Sequence, residues 1–257
     1  MASEQKAELT IRPLYEFITE IQKIASTLID LEYDLEDKYG LVLLVFLKRC
    51  YNHTKSILAL GKSKDILLVM RSLIEGGTIL SWVESEGNKD MQKERALNYL
   101  RSHITERIKQ MQKSDGKKAS TVLKNLAPTL HSSNLLTDDQ YNSISSTSKL
   151  KNNIGFLERL TGSKNLRTLF GALDSELVYT NYAHASNFAH WNPIDARIFF
   201  NDEVNNNELS MSLSITYMSL SFVCKEITTH FGMNGLQTIE KTDADCLKML
   251  FTHITKE

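Results

Sequence analysis

Chain breakers are scarce in this sequence, with three prolines and 11 glycines among 257 residues. A fold of many short strands needs those residues at its turns, so their scarcity argues for long helices. Cysteine is scarce too. Cys50, Cys224 and Cys246 are odd in number, widely separated and free of any CxxC or Cys/His ligand spacing, which excludes a disulfide framework and a zinc finger. No excess of one charge exists: 30 basic residues face 31 acidic ones, for a net charge of −1. No global field therefore selects nucleic acid or an anionic membrane. The longest apolar run, 41-LVLLVFL-47, ends at Lys48-Arg49 and is too short to cross a bilayer. The first residues, MASEQKAEL, are polar and lack the apolar stretch of a secretory signal. The expectation is a cytoplasmic protein without membrane association.

Familiar chemical motifs are also absent. The sequence has no GxGxxG, HExxH or GxSxG, and no Glu-x-x-His pairs of the kind a di-iron bundle uses. The string 61-GKS-63 ends like a phosphate-binding loop, but the required first glycine falls on Ser56. No metal and no cofactor are expected.

What is present begins with uneven charge. Met1 to Asp37 holds nine acidic and three basic residues, whereas Lys89 to Lys118 holds nine basic and four acidic. Two solvated helix faces would account for this, as would a basic surface for RNA, DNA or an acidic partner. Apolar residues recur at helical spacing along most of the chain, as in Leu14, Phe17, Ile18, Ile21, Ala25 and Leu28. Residues 1–10 read as a flexible N-terminus, with Pro13 in the first turn of a helix. Further helices are expected near 41–60, 63–84, 89–113, 119–126, 166–191, 208–231 and 243–255. Polar stretches near 131–153 and 201–207 read as loops. The sum is one all-α domain over 11–257, a helical bundle of about seven or eight helices.

Two segments carry candidate chemistry. In 65-DILLVMRSLIEGGTILSWV-83 the helix is apolar nearly all round, yet Arg71 and Glu75 sit four apart on one face. They are either a buried ion pair that fixes how helices dock, or a polar pocket in which Arg71 binds an anion and Glu75 orients it. Gly76-Gly77 costs about 1 kcal/mol per glycine against alanine in a helix, so it points to close approach of another element or room for a ligand. The second segment is 179-YTNYAHASNFAHW-191. On a helix, His184 falls with Leu177 and Phe188, while Ser175, Tyr179, Tyr182, Ser186 and His190 share another face. His184 and His190 are too far round the helix to serve one metal. A buried neutral imidazole needs partners at both ring nitrogens, and Glu75 and Tyr179 are the expected ones.

The pairing of 71-RSLIE-75 with the later 179-YTNYAHAS-186 resembles a broad bacterial family of uncharacterised all-helical proteins, over roughly residues 40–195. Members carry an R-S-L-x-E segment and a later Tyr…His-x-Ser segment. The resemblance implies that Arg71, Glu75, Tyr179, His184 and Ser186 form one site; it implies no agreed activity. The helical architecture also resembles HEPN domains, bundles used by RNase toxins and phage-defence effectors. Their signature is an Arg, four to six residues, then a His. This chain departs from it, since 49-RCYNH-53 has three intervening residues and 101-RSH-103 has one.

Three expectations about function follow. The first is a HEPN-like, metal-independent RNA endonuclease in bacterial phage defence, with His184 as acid/base, Arg71 stabilising charge on the phosphate and Glu75 completing the site. The second is a non-catalytic module holding a small anionic ligand or nucleotide, with Tyr179, Tyr182 and Ser186 as further ligand-binding residues. The third is a structural protein that works as a homodimer or with a partner protein.

Overall fold

A computed structural model describes residues 2–254, except 33, 35, 86, 115, 148–155, 164, 174–175 and 190–202. Among the described residues the elements are all helices, joined by turns and irregular segments, with one isolated bridge between Ser63 and Glu203. The helices are α1 (Ala2–Ile29), α2 (Lys38–Leu60), α3 (Ile66–Glu84), α4 (Lys89–Ser114), α5 (Gly116–Ser132), α6 (Asp138–Thr147), α7 (Phe156–Thr161), α8 (Leu166–Ala172), α9 (Glu176–Ala189), α10 (Asn206–His230) and α11 (Leu236–Ile254). The all-α expectation holds, but seven or eight helices is too few.

The differences have local causes. Pro128 lies inside α5 and does not end it. The stretch read as a polar loop contains α6, because Thr137 and Gln140 cap each other: the Thr137 N–H donates to Gln140 Oε1 at 3.0 Å, and the Gln140 N–H to Thr137 Oγ1 at 3.3 Å. Ile144 of α6 then buries against Ile108, Leu123, Ala127 and Leu136. The helix expected over 166–191 is two, α8 and α9, and Ser175, His190 and Trp191 lie outside the described residues. At the N-terminus, α1 begins at Ala2 and carries Pro13 in its interior. Thr10, a turn before the proline, is buried and hydrogen-bonds Ser210 at 2.8 Å between hydroxyls.

The chain divides into two compact units, Met1–Leu80 with Ser175–Glu257, and Ser81–Asp174. In the first unit α10 packs against α1, α2 and α11. It suits the centre because its many hydroxyls satisfy themselves: Ser212, Thr216 and Thr228 each donate to the carbonyl four residues back, at 2.7–2.8 Å. Leu213, Leu220, Val223, Cys224 and Ile227 fill the apolar side. Asp243 of α11 accepts from Tyr217 Oη at 2.8 Å and from Ser221 Oγ at 2.6 Å. Cys50, Cys224 and Cys246 are buried free thiols, and burial pushes Cys50 and Cys224 up to about 12.

α3 is long and apolar enough, at a mean hydropathy of 1.5, to cross a membrane by length and composition. In this fold Ile66, Leu67, Met70, Leu73, Ile74 and Leu80 are spent on the core. Its two glycines are not required by any close approach of the described residues, since a Cβ at either would make ordinary van der Waals contact. A Cβ on Gly76 would lie 3.6 Å from Phe46, and one on Gly77 would lie 3.8 Å from Ser219 Oγ.

The second unit holds α4 to α8 and the last turn of α3. Around the α5–α6 cluster, polar contacts tie the pieces together. Arg101 Nε donates to the Asn134 carbonyl at 2.7 Å, where Asn134 adopts a positive φ of 59° just past α5. Arg95 lies over the Trp82 ring at 4.7 Å and donates to Ser85 Oγ at 2.7 Å. Arg159 of α7 pairs with Glu106 of α4.

Candidate functional site

Arg71 and Glu75 meet as their spacing requires. Arg71 Nε donates to Glu75 Oε1 at 3.1 Å along one face of α3. Tyr182 of α9 joins them. Its hydroxyl donates to the same Glu75 oxygen at 3.1 Å and accepts from Arg71 Nη2 at 3.5 Å. The guanidinium carbon lies 5.6 Å from the Tyr182 ring centroid. Tyr179, one turn earlier on α9, sets its ring 6.2 Å from that of Tyr182. A triangle of cation, carboxylate and phenol thus joins two helices that are 107–111 residues apart in sequence.

The triangle is not sealed. The Arg71 side chain is 26% exposed and that of Glu75 36%. The buried ion pair expected from the apolar helix is therefore a half-exposed one, because α3 turns this single polar face away from Met70, Leu73 and Ile74. Burial by itself would lower the Arg71 pKa, but Tyr182 and Glu75 outweigh it and raise the value above its ordinary one. The guanidinium is firmly charged. Of its five N–H donors, two are engaged by Glu75 and Tyr182. The other three have no partner among the described residues, and neither does Glu75 Oε2.

His184 belongs to a different cluster. Two residues beyond Tyr182 it points about 160° away around α9, as 3.6 residues per turn dictates. Its Nε2 lies 3.1 Å from Glu208 Oε1 at the start of α10. It makes no hydrogen bond with Glu75 or Tyr179. Its side chain is 40% exposed, so the apolar burial expected for it does not occur. Glu208 is held firmly. Its Oε2 accepts the Asn205 N–H at 3.0 Å while Asn205 Oδ1 accepts the Glu208 N–H at 2.9 Å, a reciprocal helix cap. The Glu208 carbonyl accepts from Ser212 Oγ, which also lies 3.3 Å from Met70 Sδ.

Ser186 falls one turn beyond Tyr182, on the Tyr179–Tyr182 face of α9. Its hydroxyl is buried and has no partner among the described residues. The six expected site residues therefore divide. Arg71, Glu75 and Tyr182 are in contact, with Tyr179 against Tyr182 and Ser186 on the same helix face, and His184 pairs elsewhere. Glu208 was missed by sequence reasoning, although the spacing 205-NNNE-208 is that of a capping pair.

The other Arg/His spacing of interest lies on α2. Arg49 is exposed and His53 half-buried, and burial, then the Arg49 charge, lowers the His53 pKa. Among the described residues no cluster of three or more His, Cys, Asp or Glu side chains could hold a metal ion.

Comparison with curated proteins and with solved structures gives no match. A family model does match, from residue 40 to residue 208, a stretch that includes Arg71, Glu75, Tyr182 and His184 and ends on Glu208. It covers well over half of the chain, which belongs to that family of unknown function, DUF5677.

Proposed function

We propose that the chain is a non-catalytic helical module that binds a small anionic ligand at Arg71. One observation carries this reading: a charged guanidinium, fixed in orientation by Glu75 and Tyr182, keeps three N–H donors that no described residue engages, at a half-exposed position. Planar, oriented donors of this kind suit a carboxylate or phosphate. Ser186, with its orphaned hydroxyl, and the ring of Tyr179 supply a further donor and an aromatic wall on the same face of α9. The arrangement needs no proton transfer, which is why binding is favoured over catalysis.

The test is thermal. Melting temperature is followed against rising inorganic phosphate, 3-phenylpropionate and L-phenylalanine, in wild type and Arg71→Ala. A ligand at a hundred times its Kd adds about 2.7 kcal/mol to stability. The wild type should rise and the variant should not. An equal rise in both, or no rise in the wild type with any of the three, overturns the reading.

A second reading, metal-independent RNA cleavage by a phage-defence effector, has its own support. His184 is exposed enough to meet a substrate, and Glu208 orients its ring in the manner of an acid/base dyad. Cleavage of labelled RNA that His184→Ala abolishes at unchanged melting temperature would favour it over the first.

A further inference from the structure

Among the described residues, the Arg71 site leaves atoms of both charged groups unengaged, not of one alone. Beside the spare guanidinium donors stands Glu75 Oε2, which accepts no hydrogen bond among the described residues, while Oε1 takes both Arg71 Nε and Tyr182 Oη. A ligand with only an anionic group would sit on Arg71 next to the Glu75 carboxylate and be repelled by it. The two side chains cannot be separated cheaply, since they lie on adjacent turns of α3 and Tyr182 ties both. A ligand carrying an anion and a cation on neighbouring atoms meets both charges at once and leaves the triangle intact.

Resting on the anion-binding reading above, we infer that the ligand is a small zwitterion of the α-amino acid type. Its carboxylate lies on the spare N–H donors of Arg71. Its ammonium lies on Glu75 Oε2, and its side chain packs against the Tyr179 and Tyr182 rings. Glu75 is then a specificity-determining residue: it admits ligands that carry a positive group beside the acid and disfavours simple anions. The tyrosine rings, 6.2 Å apart and tilted by 31°, favour an apolar or aromatic side chain.

Three probes that share one phenylethyl frame separate the charges: L-phenylalanine, 3-phenylpropionate (no ammonium) and phenethylamine (no carboxylate). Each is titrated calorimetrically into the full chain, wild type and Glu75→Gln. One extra charge-assisted hydrogen bond corresponds to roughly tenfold or more in affinity. Phenylalanine should therefore bind at least about tenfold tighter than either analogue. Glu75→Gln should erase that advantage while 3-phenylpropionate binds as well as before or better. If 3-phenylpropionate matches phenylalanine in the wild type, or if Glu75→Gln leaves the preference unchanged, the zwitterion is wrong and the anion site stands. If phosphate and all three probes fail to bind the wild type, the anion site itself falls and the zwitterion with it. Glu75→Gln is close to isosteric, and its melting curve shows whether a loss reflects unfolding.

Discussion

Two Arg–Glu pairs, Arg71–Glu75 in one compact unit and Arg159–Glu106 in the other, differ in span and in exposure. In the first, Arg71 and Glu75 are four residues apart on one helix, 26% and 36% exposed. In the second, Arg159 and Glu106 are 53 residues apart on α7 and α4, and Arg159 is 9% exposed. A pair within one helix adds only a few tenths of a kcal/mol and cannot by itself dock that helix against another. A pair between helices with one partner buried is part of how those helices meet, and removing Arg159 leaves Glu106 only the weaker contact with Lys109, 3.5 Å away on its own helix. Chemistry of the same kind links two helices in one place and lies along one helix, open to solvent, in the other. The units differ in charge as well. Ser81–Asp174 has 15 basic and 10 acidic residues, and the remainder of the chain has 15 basic and 21 acidic.

The comparison can be broken most forcefully at Arg159. Arg159→Ala should cost about 1–3 kcal/mol, below the value for a fully buried pair because Glu106 is a third exposed and screened by water. A denaturant melt checks this; a cost below about 0.5 kcal/mol would make the two pairs equivalent. The acid limb of the stability curve sharpens the point. The Arg159 hydrogen bond holds the Glu106 pKa below its ordinary value against the opposing effect of burial. A depressed folded-state pKa contributes stability that is present above the ordinary glutamate range and lost as pH falls through the folded-state value. Glu106→Gln should flatten that loss, measured as the difference in unfolding free energy between neutral and acid pH.

Arg71→Ala should cost less than about 1 kcal/mol, since the pair is half-exposed and intrahelical. It should nevertheless remove ligand-induced stabilisation completely. A large loss of stability on this substitution would move Arg71 into the structural class with Arg159. The smallest effect is expected at Ser186. Ser186→Ala removes a buried hydroxyl that has no partner among the described residues, so stability should stay level or rise by up to about 1 kcal/mol. Ligand affinity should weaken. A clear loss of stability would mean that the hydroxyl is satisfied by the folded protein alone.

Some of this was readable from local pattern. The spacing of Leu14, Ile18, Ile21 and Ala25 places one face of α1 in the core, and those residues are buried. Gly61 ends α2 with a positive φ of 57°. The four-residue step from Arg71 to Glu75 requires their contact if the segment is helical. Composition misled where capping overrides it: the serine-rich stretch around Asp138 looked like a loop, yet Thr137 and Gln140 start a helix there. At Pro128, the fixed φ of proline suits a helix, and packing on the α5–α6 cluster of Leu123 and Ala127 before it and Leu130 after it holds the turns on either side together.

By itself the sequence determined helicity, the apolar stripes and the Arg71–Glu75 pair, because each depends on residues within one or two turns of one another. It also placed Tyr182 and His184 nearly opposite each other on one helix, since helical geometry allows nothing else. Only the tertiary structure decided that Tyr182 reaches Arg71 and that His184 turns to Glu208 rather than Glu75. It also decided that the ion pair stands half-open to solvent. Those outcomes depend on how α3, α9 and α10 pack, and packing is set by complementarity between surfaces far apart in the chain, which no local spacing encodes.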